Sequence, residues 1–220
     1  MIQIKISRFH KDREPQTALS QFEIPLEKPT MLESFEYISQ KLDPSFVFSS
    51  GCRSSVCGSC GVRVDGKEVL ACQYRVQNGD EVAPLNYFEV LKDLVVGNKK
   101  IASTFSNLPL ASDDSTCILC NLCYSTCPVF EVNERFTNPI ILSRLWSRFP
   151  NLDENEKNES IKNIQIDGIW DCTLCGLCTE VCPQDIDSKS DIMKLQSVSA
   201  QRGLVNPNMF NMSFGFETQF

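Results

Sequence analysis

The sequence predicts an α+β chain in two parts, a small sheet crossed by one helix and then an all-helical unit. Three observations predict it. The N-terminal stretch alternates apolar and polar residues with the period of a strand. From about residue 87 the apolar period lengthens to that of a helix. The 12 cysteines form three sets of four, one set in the first part and two in the second, with none left over.

The elements follow in order. Residues 2–9 (IQIKISRF) alternate and are β-branched, so they read as a strand, with 21–26 (QFEIPL) as its partner. Thr30 followed by Glu33 makes a capping box for a helix running to about Leu42. Its apolar positions Leu32, Phe35, Ile38 and Leu42 share one face. VRVDGKEVLAC is a hairpin with Asp65-Gly66 at its turn, and residues 80–85 supply a last strand. A sheet crossed by one helix, with a cysteine loop after it, is the element order of a β-grasp ferredoxin. Beyond it, YFEVLKDLV (87–95) and IILSRLWSRF (140–149) have helical periodicity. Asp113, Asp114, Ser115 and Thr116 offer N-caps before the second cysteine set, and DENEKNE (153–159) reads as a solvated face. The division expected is residues 1–100 and 101–220, with a low-charge tail from about 201 that is either a loose terminus or a docking segment.

Composition narrows the function. A net charge of −7 argues against nucleic acid, which needs clustered Lys and Arg to neutralise phosphates. The first residues, MIQIKISRFHKDREP, lack the apolar core of a signal peptide. No stretch reaches the ~18–20 unbroken apolar residues of a membrane span, so a membrane role is expected to come through a partner. A cysteine share of about 5% is below that of disulfide scaffolds. His10 is the only histidine, which rules out a multi-histidine metal site, and no histidine base is expected in the chemistry. Trp146 and Trp170 read as core or interface residues. GxGxxG, P-loop and G-x-S-x-G motifs are absent, so a flavin or nicotinamide would sit on another chain.

The chemistry lies in the cysteines. Cys117, Cys120, Cys123 and Cys127 (CILCNLCYSTCP) and Cys172, Cys175, Cys178 and Cys182 (CTLCGLCTEVCP) form an internal repeat offset by 55 residues, with seven of twelve positions identical. Both match C-x2-C-x2-C-x3-C-P, the run of two-cluster ferredoxins. Thiolates at i, i+3 and i+6 can wrap one face of a cubane, while the fourth ligates the other cluster. Crossed ligation is therefore expected: Cys117, Cys120, Cys123 and Cys182 on one 4Fe–4S cluster, and Cys127, Cys172, Cys175 and Cys178 on the other. The remaining set, Cys52, Cys57, Cys60 and Cys72, begins with the C-x4-C-x2-C spacing of plant-type 2Fe–2S proteins. Gly51, Gly58 and Gly61 let its backbone pass close to a cluster, or simply make turns. Four-cysteine zinc sites are the alternative, but they usually pair their ligands across a longer loop.

The N-terminal strand, the CRSSVCGSC loop, Cys72 closing VLAC, and the CILCNLC and Cys-Pro motifs resemble the iron–sulfur subunit of succinate dehydrogenase and fumarate reductase. The resemblance covers most of the chain. It implies a linear wire, 2Fe–2S to 4Fe–4S to a third cluster, between an FAD-containing flavoprotein and a quinone at the membrane. FAD would be on that partner, with no substrate-converting residue here. Members of the family commonly lack a cysteine at the position of Cys175 and hold 3Fe–4S there. With Cys175 present a second 4Fe–4S is expected, the alternative being a thiol beside a 3Fe–4S cluster. The family's quinone-site Trp and His fall at Val132 and Thr173, the segment from Cys72 to Cys117 is short, and Ser54 and Ser55 replace an acidic and a small residue. These departures imply a divergent branch whose third subunit is a Cys-rich heterodisulfide-reductase-like protein rather than a membrane anchor. The expected function is an electron-transfer subunit of a succinate/fumarate oxidoreductase, peripheral on the membrane, cytoplasmic by default or periplasmic by co-export. The alternatives are the same wire serving another flavin dehydrogenase or a thiol/heterodisulfide-linked reductase, and a zinc-stabilised interaction module.

Overall fold

A computed structural model describes residues 1–97 and 116–206. The expected boundary at 100–101 and the caps Asp113, Asp114 and Ser115 lie outside the described residues, as does the tail beyond Asn206.

The sheet is five-stranded. β1 (Ile2–Phe9) pairs antiparallel with β2 (Thr17–Ile24) and parallel with β5 (Glu81–Ala83). β5 pairs with β3 (Gly61–Val64), and β3 with β4 (Lys67–Leu70) across the Asp65-Gly66 turn, giving the order β2-β1-β5-β3-β4. The second strand thus starts and ends earlier than expected, because its pairing runs in full register with β1. Helix α1 (Met31–Tyr37) opens on the capping box, with Glu33 N donating to Thr30 Oγ1 and Thr30 N to Glu33 Oε2. Its Met31, Leu32, Phe35 and the following Ile38 are buried against Ile4, Ile6, Ile24, Val62, Val64 and Val82. Leu42, expected on the same face, is exposed. Residues Ile38–Leu42 form a π turn, closed by Asp43 N donating to Ile38 O, and the wider turn rotates Leu42 out of phase.

The expected helix at 87–95 is instead a hairpin, β6 (Val90–Lys92) with β7 (Val95–Val96). A buried charge overrides its helical pattern. Along β1 every second side chain points inward, and the last of these is Arg8, buried beyond Ile4 and Ile6. Its Nε donates to Asp93 at the hairpin turn (2.8 Å) and its Nη1 to Asp43 (2.6 Å). Asp93, fully buried with left-handed backbone, also accepts from Val47 N. A helix over these residues would withdraw that carboxylate and leave the guanidinium buried without it. His10 stands half-buried at the end of β1, 3.8 Å from Asp93.

The second part is helical among the described residues: α2 (Leu122–Ser125), α3 (Pro139–Arg148), α4 (Glu154–Asn163), α5 (Leu177–Glu180) and α6 (Ser188–Gln201). Thr116 caps no helix, since the first begins at Leu122 after the cysteine loop. α3 and α6 pack around Ile140, Ile141, Leu142, Leu145, Ile192 and Leu195, with Trp146 and Trp170 partly buried against them. α4 carries the charged run, opened by a second capping box, Asp153 with Glu156. No helix among the described residues is long and apolar enough to cross a membrane.

The two parts share a buried joint. Ser125 Oγ donates to Glu68 on β4 and accepts from Asn86 N, both at 2.8 Å. Ser125→Ala leaves a buried carboxylate and a backbone N–H each short of a partner, so it should cost about 1–3 kcal/mol, read as a lower denaturation midpoint.

Candidate metal centres

The two repeats fold alike. Leu119 and Leu174 have φ 55°, and Asn121 and Gly176, two positions on, have φ 66° and 86°. Each is left-handed, and each pair precedes a one-turn helix, α2 or α5, that starts one residue before the third cysteine. Two left-handed residues between cysteines curl the chain so that successive thiols face inward. Asn and Gly tolerate this most readily, whereas Leu119 and Leu174 carry strain there. The curled backbone turns its N–H groups toward sulfur. Leu174 N donates to Cys172 Sγ (3.4 Å), and the N–H groups of Leu122 and Val129 reach the sulfurs of Cys120 and Cys127 in the same i+2 pattern.

The fourth cysteine of each run crosses over. Cys182 lines one cavity with Cys117, Cys120 and Cys123. Cys127 lines another with Cys172, Cys175 and Cys178. Burial pushes the Cys120 and Cys178 thiols up to about 11, Cys127 to about 12 and Cys123 well above its usual value, with neighbouring thiols adding to each. Such thiols give up a proton only when a metal's positive charge replaces it. Four thiols lining one cavity can hold a cluster in which each sulfur binds a different iron, and the repeated C-x2-C-x2-C-x3-C-P spacing favours that over tetrahedral zinc.

The first set is a looser ring. Cys52 N donates to Cys57 Sγ (3.3 Å), while Ser54 N and Val56 N donate to Cys52 Sγ (3.3 and 3.4 Å). Those donors hold the exposed Cys52 down at about 6. Burial, followed by Cys72 and Cys57, pushes Cys60 up to about 11. Arg53, also left-handed, reaches Glu36 on α1 at 2.7 Å and ties the loop to the helix.

The three sets are contiguous. Gly58 has φ 70°, and a β-carbon there would stand 2.7 Å from Ile118 O and 2.8 Å from Cys120 Cα. Only glycine lets the first loop rest on the backbone of the second. Cys123 in turn is influenced by Cys178 of the third set. Cys52 and Cys175, at opposite ends of this series, are the exposed cysteines, and no thiol of the middle set is exposed. Thr173 is exposed on the Cys175 cavity, and Val132 is 88% exposed. Lys189 also lines that cavity, a role nothing in the cysteine motif marks, because it comes from the start of α6.

Comparison with known proteins agrees with this geometry. Residues 3–103 match a family model described as a 2Fe-2S iron-sulfur cluster binding domain, and residues 114–186 one described as a 4Fe-4S dicluster domain. The chain is 30% identical to the fumarate reductase iron-sulfur subunit of Haemophilus influenzae, over 91% of this chain and 94% of that one. It is 29% identical to a subunit of the fumarate reductase (CoM/CoB) of Methanothermobacter marburgensis over 92% of its length, but spans only 45% of that protein. A chain of the Mycobacterium smegmatis Sdh1 complex superposes with a TM-score of 0.80 at 20% identity, covering 91% of this chain and 96% of that one, a likeness of fold. This chain, with its 2Fe–2S domain and its 4Fe–4S dicluster domain, therefore belongs to the family of fumarate reductase iron–sulfur subunits.

Proposed function

We propose that the chain relays electrons between an FAD-containing flavoprotein subunit that converts succinate or fumarate and a quinone- or thiol-linked partner subunit. One observation carries the reading: three contiguous thiol sets run through the molecule, with an exposed cysteine at each end and none in the middle. Bound clusters supply one-electron chemistry. The chain's own part is to hold them in series, keep every thiol of the middle set from full exposure, and aim N–H groups at sulfur, which sets how readily each accepts an electron.

The ligand sets proposed are Cys52, Cys57, Cys60 and Cys72 for 2Fe–2S, Cys117, Cys120, Cys123 and Cys182 for one 4Fe–4S, and Cys127, Cys172, Cys175 and Cys178 for a second. Cys175 lining the same cavity as its three companions supports 4Fe–4S over 3Fe–4S. The unit division is proposed near residue 100. A thiol-linked third subunit of the Cys-rich kind is favoured over a membrane anchor. The family's quinone Trp and His are Val132 and Thr173 here, and the Methanothermobacter relative carries CoM/CoB in its name. Membrane contact then comes through partners, on the cytoplasmic face by default or on the periplasmic face by co-export.

Anaerobic pull-down of the tagged chain from its native cells should recover a flavoprotein together with a soluble Cys-rich subunit. A multi-helix anchor would restore an ordinary quinone complex, and absence of a flavoprotein would end the succinate/fumarate reading. Cys182→Ser should damage the cluster of Cys117, Cys120 and Cys123, seen in iron content and electron paramagnetic resonance. Selective loss of the other cubane would reverse the crossing. Cys175→Ser should leave 3Fe–4S or no cluster at its site, and an unchanged spectrum would remove Cys175 from the ligands.

A further inference from the structure

Two features of Ser55 bear on the cluster site. Its backbone is left-handed, with φ 62°, where a β-carbon is unfavourable and glycine would be free. It is also half-buried between two exposed neighbours, Ser54 and Val56. The side chain turns inward, so that Oγ lies 3.6 Å from Cys72 Sγ, across the ring from its own position in the loop. Ser54, next to it, spends its hydroxyl on the Cys52 carbonyl. A side chain at a strained position invites a functional account, and the contact with Cys72 supplies one.

The donor in that contact depends on iron. A free thiol and a hydroxyl can each donate, but a sulfur held as thiolate has no proton, so the hydroxyl donates and the sulfur accepts. Reduction adds an electron that is shared with the ligand sulfurs. A donor aimed at one of them therefore holds the reduced cluster more strongly than the oxidised one and raises its potential.

We propose that Ser55 is a positioning residue of the 2Fe–2S site whose hydroxyl hydrogen-bonds the Cys72 thiolate, raising the potential of that cluster and latching the exposed loop to the end of β4. This rests on Cys72 being a ligand. The latch joins the two segments that supply the ring, residues 52–60 and Cys72. It acts at the end of the series that carries the exposed Cys52, so the side chain would bias how readily the chain takes its first electron or gives up its last.

The test uses the full chain, purified anaerobically with its clusters, as wild type, Ser55→Ala and Ser55→Gly. Both variants should retain the 2Fe–2S signal at wild-type iron content. In a redox titration followed by electron paramagnetic resonance, both should show a lower midpoint for that cluster alone, by about a tenfold change in the reduction equilibrium, ~59 mV for one electron. The cubane midpoints should not move. In the wild type the Fe–S(Cys) stretching bands in resonance Raman should shift on exchange into deuterated water, and both variants should lose most of that shift. Because glycine relieves the strained backbone, Ser55→Gly should fold even if Ser55→Ala does not. A retained cluster with an unmoved midpoint in either variant overturns the proposal. Cys72→Ala separates the two layers: if the 2Fe–2S cluster survives it intact, Cys72 is not a ligand and the ligand assignment itself falls.

Discussion

The exchange of the fourth cysteine between the two repeats organises the second half of the molecule. Cys127 lies in the cavity of the later repeat and Cys182 in that of the earlier one. Neither repeat can therefore complete a four-thiol site alone, although 55 residues of sequence separate equivalent positions. α3 and α4 fill the gap and bring α2 and α5 side by side. The apolar core of the unit, around Ile141, Leu145, Ile161 and Ile192, keeps them there. Cavity formation and helix packing become one problem, because a shift of α6 against α3 would open both sites.

The sheet is coupled to these sites by polar clamps as well as by apolar contact, since Leu122 is buried in the sheet's core and Phe88 packs against both cores. Arg8, Asp93 and Asp43 form a buried ionic cluster that fixes the β6–β7 hairpin and, through Val47, the approach to the first cysteine loop. Such pairs are costly to desolvate and lose much when one partner is removed. They hold one geometry rather than add net stability. Ser125 plays the same part between β4 and α2 with neutral and charged hydrogen bonds. Each clamp sits beside a cysteine loop, where the backbone is left-handed and has little regular structure of its own.

The distribution of exposure matches a relay. Cys52 and Cys175, in the first and last sets, meet solvent, each beside buried thiols of its own set (Cys60; Cys127 and Cys178), while the four of the middle set are half-buried. Burial raises the cost of a bare thiolate, so a buried thiol loses its proton readily only to a metal. The first and second cysteine loops meet at Gly58, where any side chain would collide with the backbone of residues 118–120.

The chemistry of this chain is written locally. A C-x2-C-x2-C-x3-C-P run specifies its curl within a dozen residues, so the three cysteine sets, the repeat and the family resemblance were all legible in the sequence. The capping box at Thr30 and Glu33 and the Asp65-Gly66 turn were legible for the same reason, since each depends on neighbours within three residues. Features that depend on distant partners were settled only by packing. Residues 87–95 have a helical pattern but form a hairpin, because Arg8, 85 positions before Asp93, needs its carboxylate. Leu42 leaves the helix face because a π turn closes onto Asp43, which Arg8 also holds. The contact of Ser55 with Cys72, the lining of a cavity by Lys189 and the close approach at Gly58 share that character. Each is a meeting of segments that no local pattern records, brought about only when the sheet, the hairpin and the helices are packed together.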